Sequence, residues 1–464
     1  MKKIALLASA VFMTTAMSFD DGGYPTYMSK GEYINDFNSL PLSSELSVDR
    51  LPWASSFWPS IYGGIAFRWN NYHTTEPYFA QLHYKVNDIN DEIDKLNHEL
   101  FVQNQSSSNA AAIHNRILEL EQEKRNVVYQ KSGEHEKVMF DYSRPNRLED
   151  VQRMSDEQVN KLSPAEKFDV YKMLIGESNR FYLTDKVLDR KTGPYKAYWE
   201  GICHGWSTAA LEFKEPKPVT INKQGVKLTF QSSDLKGLLS QYHAQITGWP
   251  DRAMVTNQYG KRCGVEFPAE TWHLDNGVES YQAFENGAVV KNSLPSECVD
   301  DVDAGGFHLV LANQIAILKK GFVVEATRDR EVWNQPVFGY NSEILEEGSS
   351  LYLKRNNGTA KQVRVKTVMK YANDGGRMYW EQDAADDEFY AWENRTSGTS
   401  NYRFASKTYE YILDLDRKGD IIGGHWLSYE RPDFLWIKRN KGFIRGRTRL
   451  TKYMNDLKNL VEIR

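Results

Sequence analysis

Cys203 lies in the run Tyr198-Trp199-Glu200-Gly201-Ile202-Cys203-His204-Gly205-Trp206-Ser207. A thiol attacks as its thiolate, so a cysteine that does chemistry needs surroundings that lower its pKa. A helix N-terminus supplies partial positive charge and free N–H groups. Ala209 to Phe213 read as helix and Gly201 permits a tight approach, which puts Cys203 on a first helical turn. There its own N–H is also a candidate oxyanion donor. The plain alternative is a buried core cysteine beside a tryptophan. A thiol nucleophile also needs a base, normally His held by a third group, and the chain has 10 His. His204 is a poor partner, because helical neighbours point about 100° apart. His73, His83, His98, His114 and His135 read as solvated helix surface, whereas His243, His273 and His425 remain open. His308 follows Gly305-Gly306-Phe307 and reads as opening an apolar strand, Leu309-Val310-Leu311. A turn at Lys319-Lys320-Gly321 then returns the chain as Phe322-Val323-Val324-Glu325. A hairpin of that length brings Glu325 back to His308. Asp329 competes as the acid, although Arg328 and Arg330 flank it and surface ion pairing would explain it.

These residues need elements to hold them. Leu82, Val86, Ile89, Ile93, Leu96 and Leu100 follow helical spacing, as do Ile113, Ile117, Leu120 and Val127 beyond a polar break. The two stripes predict a helical hairpin over about 79–130. Ser155-x-x-Gln158 and Ser163-x-x-Glu166 match the capping box, with Pro164 at a first helical position. From 305 onward strands are expected at Phe307–Leu318, Gly321–Ala326, Leu351–Leu353, Val363–Met369, Tyr409–Leu415 and Ile421–Trp426. Helices first and an antiparallel-looking β region afterwards predict an α+β fold. The expected division is a signal peptide over 1–18, a mainly helical N-terminal region over 19–190, and a catalytic domain over 191–464.

The first 18 residues carry Lys2 and Lys3, an apolar run from Ile4 to Met13, and the small-residue site Ala16-Met17-Ser18. That pattern is a secretory signal and predicts a secreted or periplasmic protein. Its removal would move the formal charge from −4 to −6. In an oxidising compartment three cysteines leave one over. The expected pair is Cys263 with Cys298, leaving Cys203 free. Aromatics at 13% exclude a disordered chain. With 58 basic against 62 acidic residues, a dedicated nucleic-acid binder is excluded too. After residue 18 no apolar run is long enough for a membrane-spanning helix. Asp300-Asp301-x-Asp303 and 383–388 lack EF-hand spacing and read as solvated acidic loops, and no zinc or nucleotide pattern occurs, so no metal or cofactor is expected.

Nucleophile, base strand and acid in that order match papain-like and transglutaminase-like thiol acyltransferases. Glu331-Val332-Trp333-Asn334-Gln335-Pro336-Val337 resembles the corresponding segment of the oomycete transglutaminase elicitor family. So do Gly201 to Trp206, Gly306 to Asn313, Tyr409 to Leu415, Ile422 to Trp426 and Pro432 to Trp436. The resemblance spans roughly 190–440. It implies a papain-like catalytic core and a secreted protein-glutamine γ-glutamyltransferase, whose thiol and imidazole fall on Cys203 and His308. Glutamine-bearing proteins would be the donors and lysine or other primary amines the acceptors. Val324-Glu325-Ala326-Thr327 departs from the family's Val-Asp-x-Thr setting, which leaves Asp329 in play. Ala197 stands where papain-like proteases carry a glutamine, so the second oxyanion donor falls to Trp199 or a backbone group. Trp199 and Trp206 would also shield a thioester from water. A papain-like protease or glutamine deamidase shares these residues. An exported, aromatic-rich binding protein without catalysis is the alternative from another class.

Overall fold

The computed structural model describes residues 33–60, 63–67, part of 85–99, 107–140, 145–191, 199–247, 256–260, part of 272–292, 302–326, 331–374, 404–439, 442–443 and 448–464. Among the described residues β1 (Ser43–Glu45) is the first strand, followed by the helices α1 (Ser107–Phe140), α2 (Leu148–Val151), α3 (Asp156–Asn160), α4 (Pro164–Leu174), α5 (Tyr182–Lys191) and α6 (Cys203–Glu212). A hairpin of β2 (Val219–Lys223) and β3 (Val226–Phe230) leads into α7 (Ser232–Thr247). Next come β4 (Thr256–Tyr259), β5 (Trp272–Asp275), β6 (Val278–Glu285), β7 (Ala288–Asn292) and α8 (Ala304–Leu311). The last part holds β8 (Phe322–Glu325), β9 (Asn334–Gly348), β10 (Lys361–Ala372), β11 (Phe404–Leu415), β12 (Ile421–Trp426), β13 (Phe434–Lys438) and α9 (Arg449–Tyr453). The fold is α+β, with helices concentrated in the N-terminal half and antiparallel strands in the C-terminal half.

Local chemistry explains several of these starts. Ser155 and Ser163 both form full capping boxes, with Gln158 and Glu166 reaching back to the cap N–H groups. Val86, Ile89 and Ile93 pack with Leu120 and Val127 of α1, and Arg116 reaches Glu92 at 2.8 Å. The described residues on the other faces are mainly polar or charged, with Leu118 left exposed.

One eight-stranded antiparallel sheet organises the second half, in the order β12-β11-β10-β9-β8-β13-β4, with β1 alongside β9. Strand alternation divides its two faces. Phe322 and Val324 of β8 join Val337, Leu435, Tyr411 and α8 in one core. Val323, Phe434 and Trp436 project the other way and meet Leu211 of α6. The sheet is therefore a partition, with α6 and α7 on one side and α8 on the other.

The α6 side is sealed by residues far apart in the chain. A single core joins Trp53, Trp58, Phe168, Trp206, Leu238 and Leu457. The extended segment at 53–58 crosses the start of α6, where the Ile202 N–H donates to the Phe57 carbonyl at 2.7 Å. A methyl group on Gly201 would lie 2.2 Å from that same oxygen, so only glycine lets the two backbones meet. Gly205 plays the same part on the opposite flank, since a Cβ there would lie 2.0 Å from the Ser240 carbonyl of α7. Glycines on both sides of Cys203 thus fix the helix between the N-terminal strap and α7.

The sequence-based strand at Phe307–Leu318 is not a strand. Asp303 caps a helix there, accepting from the Gly306 N–H at 3.0 Å, and α8 continues as a π-helical turn over Ala312–Ile317. The segment 351–353 is likewise bend rather than strand. The hairpin expected to join His308 to Glu325 therefore does not form. Instead β8 pairs with β9 and β13.

Candidate active site

Cys203 is the first residue of α6, and its N-cap Ile202 offers no side-chain cap. The first N–H groups of a helix have no intrahelical acceptor, so the thiol sits at the positive end of the helix. It is buried, 5% exposed. Its Sγ lies 3.5 Å from the Val332 carbonyl and 3.5 Å from Asn334 Nδ2. The Asn334 backbone N–H also points at the sulfur. Asn334 is in turn fixed by Trp436, whose Nε1 donates to its Oδ1 at 2.8 Å. This orients the amide so that its NH2 faces the thiol. Glu325 stands opposite Asn334 in the ladder and shares its face with Val323, the face towards α6. It is buried and acts electrostatically on Cys203, as does Asp374 just beyond β10.

Burial pushes the thiol pKa up to about 11, the two Asn334 donors pull against that, and the negative charges of Asp374 and Glu325 add to it. The resting group is therefore the thiol rather than the thiolate at neutral pH. Its alkylation by a neutral reagent such as iodoacetamide should keep accelerating well past the ordinary cysteine value of about 8.5. A rate that levels off below that value would contradict this environment.

His308 is on the other side of the partition. It sits on α8, with Nδ1 2.8 Å from Tyr411 Oη and its ring against Phe37 at 5.7 Å. The polar chain continues from Tyr411 to Thr367 at 2.7 Å and on to Ser342 at 2.8 Å. Burial lowers its pKa to about 4, so its imidazole is neutral. The sheet separates it from Cys203, and no hydrogen bond or ring contact joins the two. Of the expected triad, Cys203 and Glu325 come together and His308 does not, because the apolar run that follows it folds as helix.

The other sequence candidates are dispersed. Asp329, Cys263, Cys298 and the side chain of His273 lie outside the described residues. Cys203 has a free thiol. Trp199 is half-buried in the turn ahead of Gly201. Trp206 is fully buried and gives its Nε1 to the Trp53 carbonyl at 3.1 Å, so its N–H is spent on structure. His243 lies beyond the far end of α6, near Lys438 at 3.3 Å and against Phe213. His425 pairs with Asp414 at 3.0 Å on the β11–β12 edge. Asp303 spends both oxygens on backbone N–H groups, those of Gly306 and Gly424, rather than on a cation. Among the described residues no group of three or more His, Cys, Asp or Glu could hold a metal. No helix there is long and apolar enough to cross a membrane.

Asn334 is the side chain at the thiol that residue types alone did not single out. Its signal was present, since it lies inside the Val-Trp-Asn-Gln-Pro segment that carries the family resemblance. The model of the family described as Transglutaminase elicitor matches residues 183–249 and 292–463. That is more than half of the chain. The chain belongs to the transglutaminase elicitor family. Both matched blocks contribute to the site, Cys203 from the first and Glu325, Asn334 and Trp436 from the second. Among solved structures, the GP42 transglutaminase from Phytophthora sojae is similar, at 19% identity over 92% of this chain and 94% of that one, with a TM-score of 0.46. No curated protein matches the chain.

Proposed function

We propose that this member of the transglutaminase elicitor family is an exported protein-glutamine γ-glutamyltransferase that works through a thioester on Cys203. The observation that carries the reading is the pairing of Cys203, at a helix N-terminus, with Asn334 from the family's Trp-Asn-Gln-Pro segment. Sγ attacks the γ-carbonyl carbon of a glutamine. As the S–C bond forms, Glu325 takes the thiol proton and passes it to the departing nitrogen, and ammonia leaves as the C–N bond breaks. Asn334 Nδ2 and the Cys203 N–H stabilise charge on sulfur and on the carbonyl oxygen. A primary amine then attacks the thioester, an amide bond forms, and the thiol is restored. Residues 1–18 direct export, and residues 191–464 hold the catalytic groups.

Export into an oxidising compartment goes with the Cys263–Cys298 disulfide. The unreduced, denatured protein should accept one alkyl group, at Cys203, and three would overturn the pairing.

Incubation with a glutamine-bearing protein and a fluorescent primary amine tests the activity. Label incorporation that disappears in Cys203→Ala supports transfer. Ammonia release or peptide cleavage without label would identify a hydrolase, and inertness in every assay a binding protein.

A further inference from the structure

The sulfur of Cys203 meets one acceptor and one donor. Its S–H donates to the Val332 carbonyl at 3.5 Å, and Asn334 Nδ2 donates to it at 3.5 Å. An asparagine amide turned end for end keeps its shape and exchanges donor for acceptor. With NH2 inwards it supports a thiolate. With Oδ1 inwards it would accept the thiol proton and hold the neutral form. What decides between the two is Trp436, whose Nε1 donates to Asn334 Oδ1 at 2.8 Å. An indole nitrogen donates and never accepts. It therefore bonds one amide orientation, and in the other it would face the NH2 group as a buried donor against a donor, which is unfavourable.

Trp436 is itself held from several sides. It is fully buried, and its backbone pairs with Val323 of β8 and with Gln258 of β4. Its side chain packs with Val323, Phe434 and Leu211 of α6. The register that puts Val323 on the α6 face puts Glu325, Asn334 and Trp436 there too, so ladder and hydrogen bonds agree.

We propose that Trp436 is a positioning residue for the reaction at Cys203, its donor-only N–H locking the Asn334 amide with NH2 on the sulfur so that negative charge can develop there. The effect on turnover rests on the acyl-transfer reading above, whereas the effect on the thiol stands apart from it.

The test uses the full chain and two readouts, label incorporation with a glutamine-bearing protein and cadaverine, and alkylation of Cys203 by iodoacetamide at fixed pH. Trp436→Phe keeps a ring at the site and removes the N–H. It should lower kcat about tenfold at a KM within about twofold of wild type, and slow alkylation by a similar factor, as for losing a hydrogen bond to a charged group. In an Asn334→Ala background the same substitution should change either rate by less than about twofold, because Trp436 acts through the amide. Asn334→Asp, with Trp436 intact, offers an oxygen where NH2 stood and should alkylate more slowly than Asn334→Ala. Each of three results overturns the assignment: further loss in the double variant, alkylation of Trp436→Phe at the wild-type rate, or equal alkylation of Asn334→Asp and Asn334→Ala. Absence of both label and ammonia release in wild type would remove the acyl-transfer reading, and the alkylation rates would still decide the role of Trp436.

Discussion

Glu325→Gln is expected to lower turnover on the order of 10²- to 10⁴-fold, the usual contribution of a positioned general base. Glu325 is buried on the α6 face of β8, across the ladder from Asn334, and its charge reaches the thiol. Glutamine keeps the shape and removes the proton acceptor. The same substitution removes a negative charge that opposes thiolate formation, so Cys203 should alkylate faster while catalysis fails. Opposite changes in the two readouts separate a proton-transfer role from general damage. Turnover within tenfold of wild type, about 1.4 kcal/mol in the barrier, would show that Glu325 is structural.

Trp53→Ala is expected to cost about 3–5 kcal/mol of stability, the range for emptying a large buried aromatic site. Trp53 is fully buried, gives its Nε1 to the Phe213 carbonyl at 3.2 Å, and accepts from Trp206 at its own carbonyl. Lys236 lies over its ring at 5.7 Å. The loss would consume much of a typical domain's 5–15 kcal/mol. It should appear as a lower urea midpoint at unchanged slope. Trp53→Phe should retain most of the packing. A Trp53→Ala midpoint equal to wild type would mean that the N-terminal strap is not part of the core. Because Phe57 and Trp58 of the strap contact the backbone at Gly201 and the ring-facing side of Gly237, proteolytic removal of 33–67 should unfold the α6 side as well. That outcome would make the strap scaffold, and a folded, active remainder would make it a removable segment.

Much of the framework was legible where local chemistry decides it. Ser155 and Ser163 announced their helices through capping boxes, and alternation in Val226 to Phe230 marked a strand with buried and open faces. Cys203 at a helix start followed from Gly201 and the run beyond Ala209. Phe307 to Leu318 misled because a short apolar run suits a buried helix as well as a buried strand. The deciding signal was Asp303, three residues before Gly306, which works as an N-cap. Misreading that element moved His308 across the sheet and created a hairpin with Glu325 that does not exist. Asn334 lies 131 residues beyond Cys203, and what joins the two is sheet register, which no local pattern reports. Glu325, expected as the partner of His308, instead lies opposite Asn334 on the thiol's side of the sheet. The β9 ladder carries it there, not a hairpin with His308.

The acyl-enzyme is the most direct test. Wild-type protein is mixed with a short glutamine peptide without added amine, quenched in acid, and digested for mass spectrometry. The account predicts a peptide bearing Cys203 that gains the mass of the donor less one ammonia, is discharged by added cadaverine, and is absent in Cys203→Ser. Label transfer without such an adduct, or an adduct on any other residue, would contradict it.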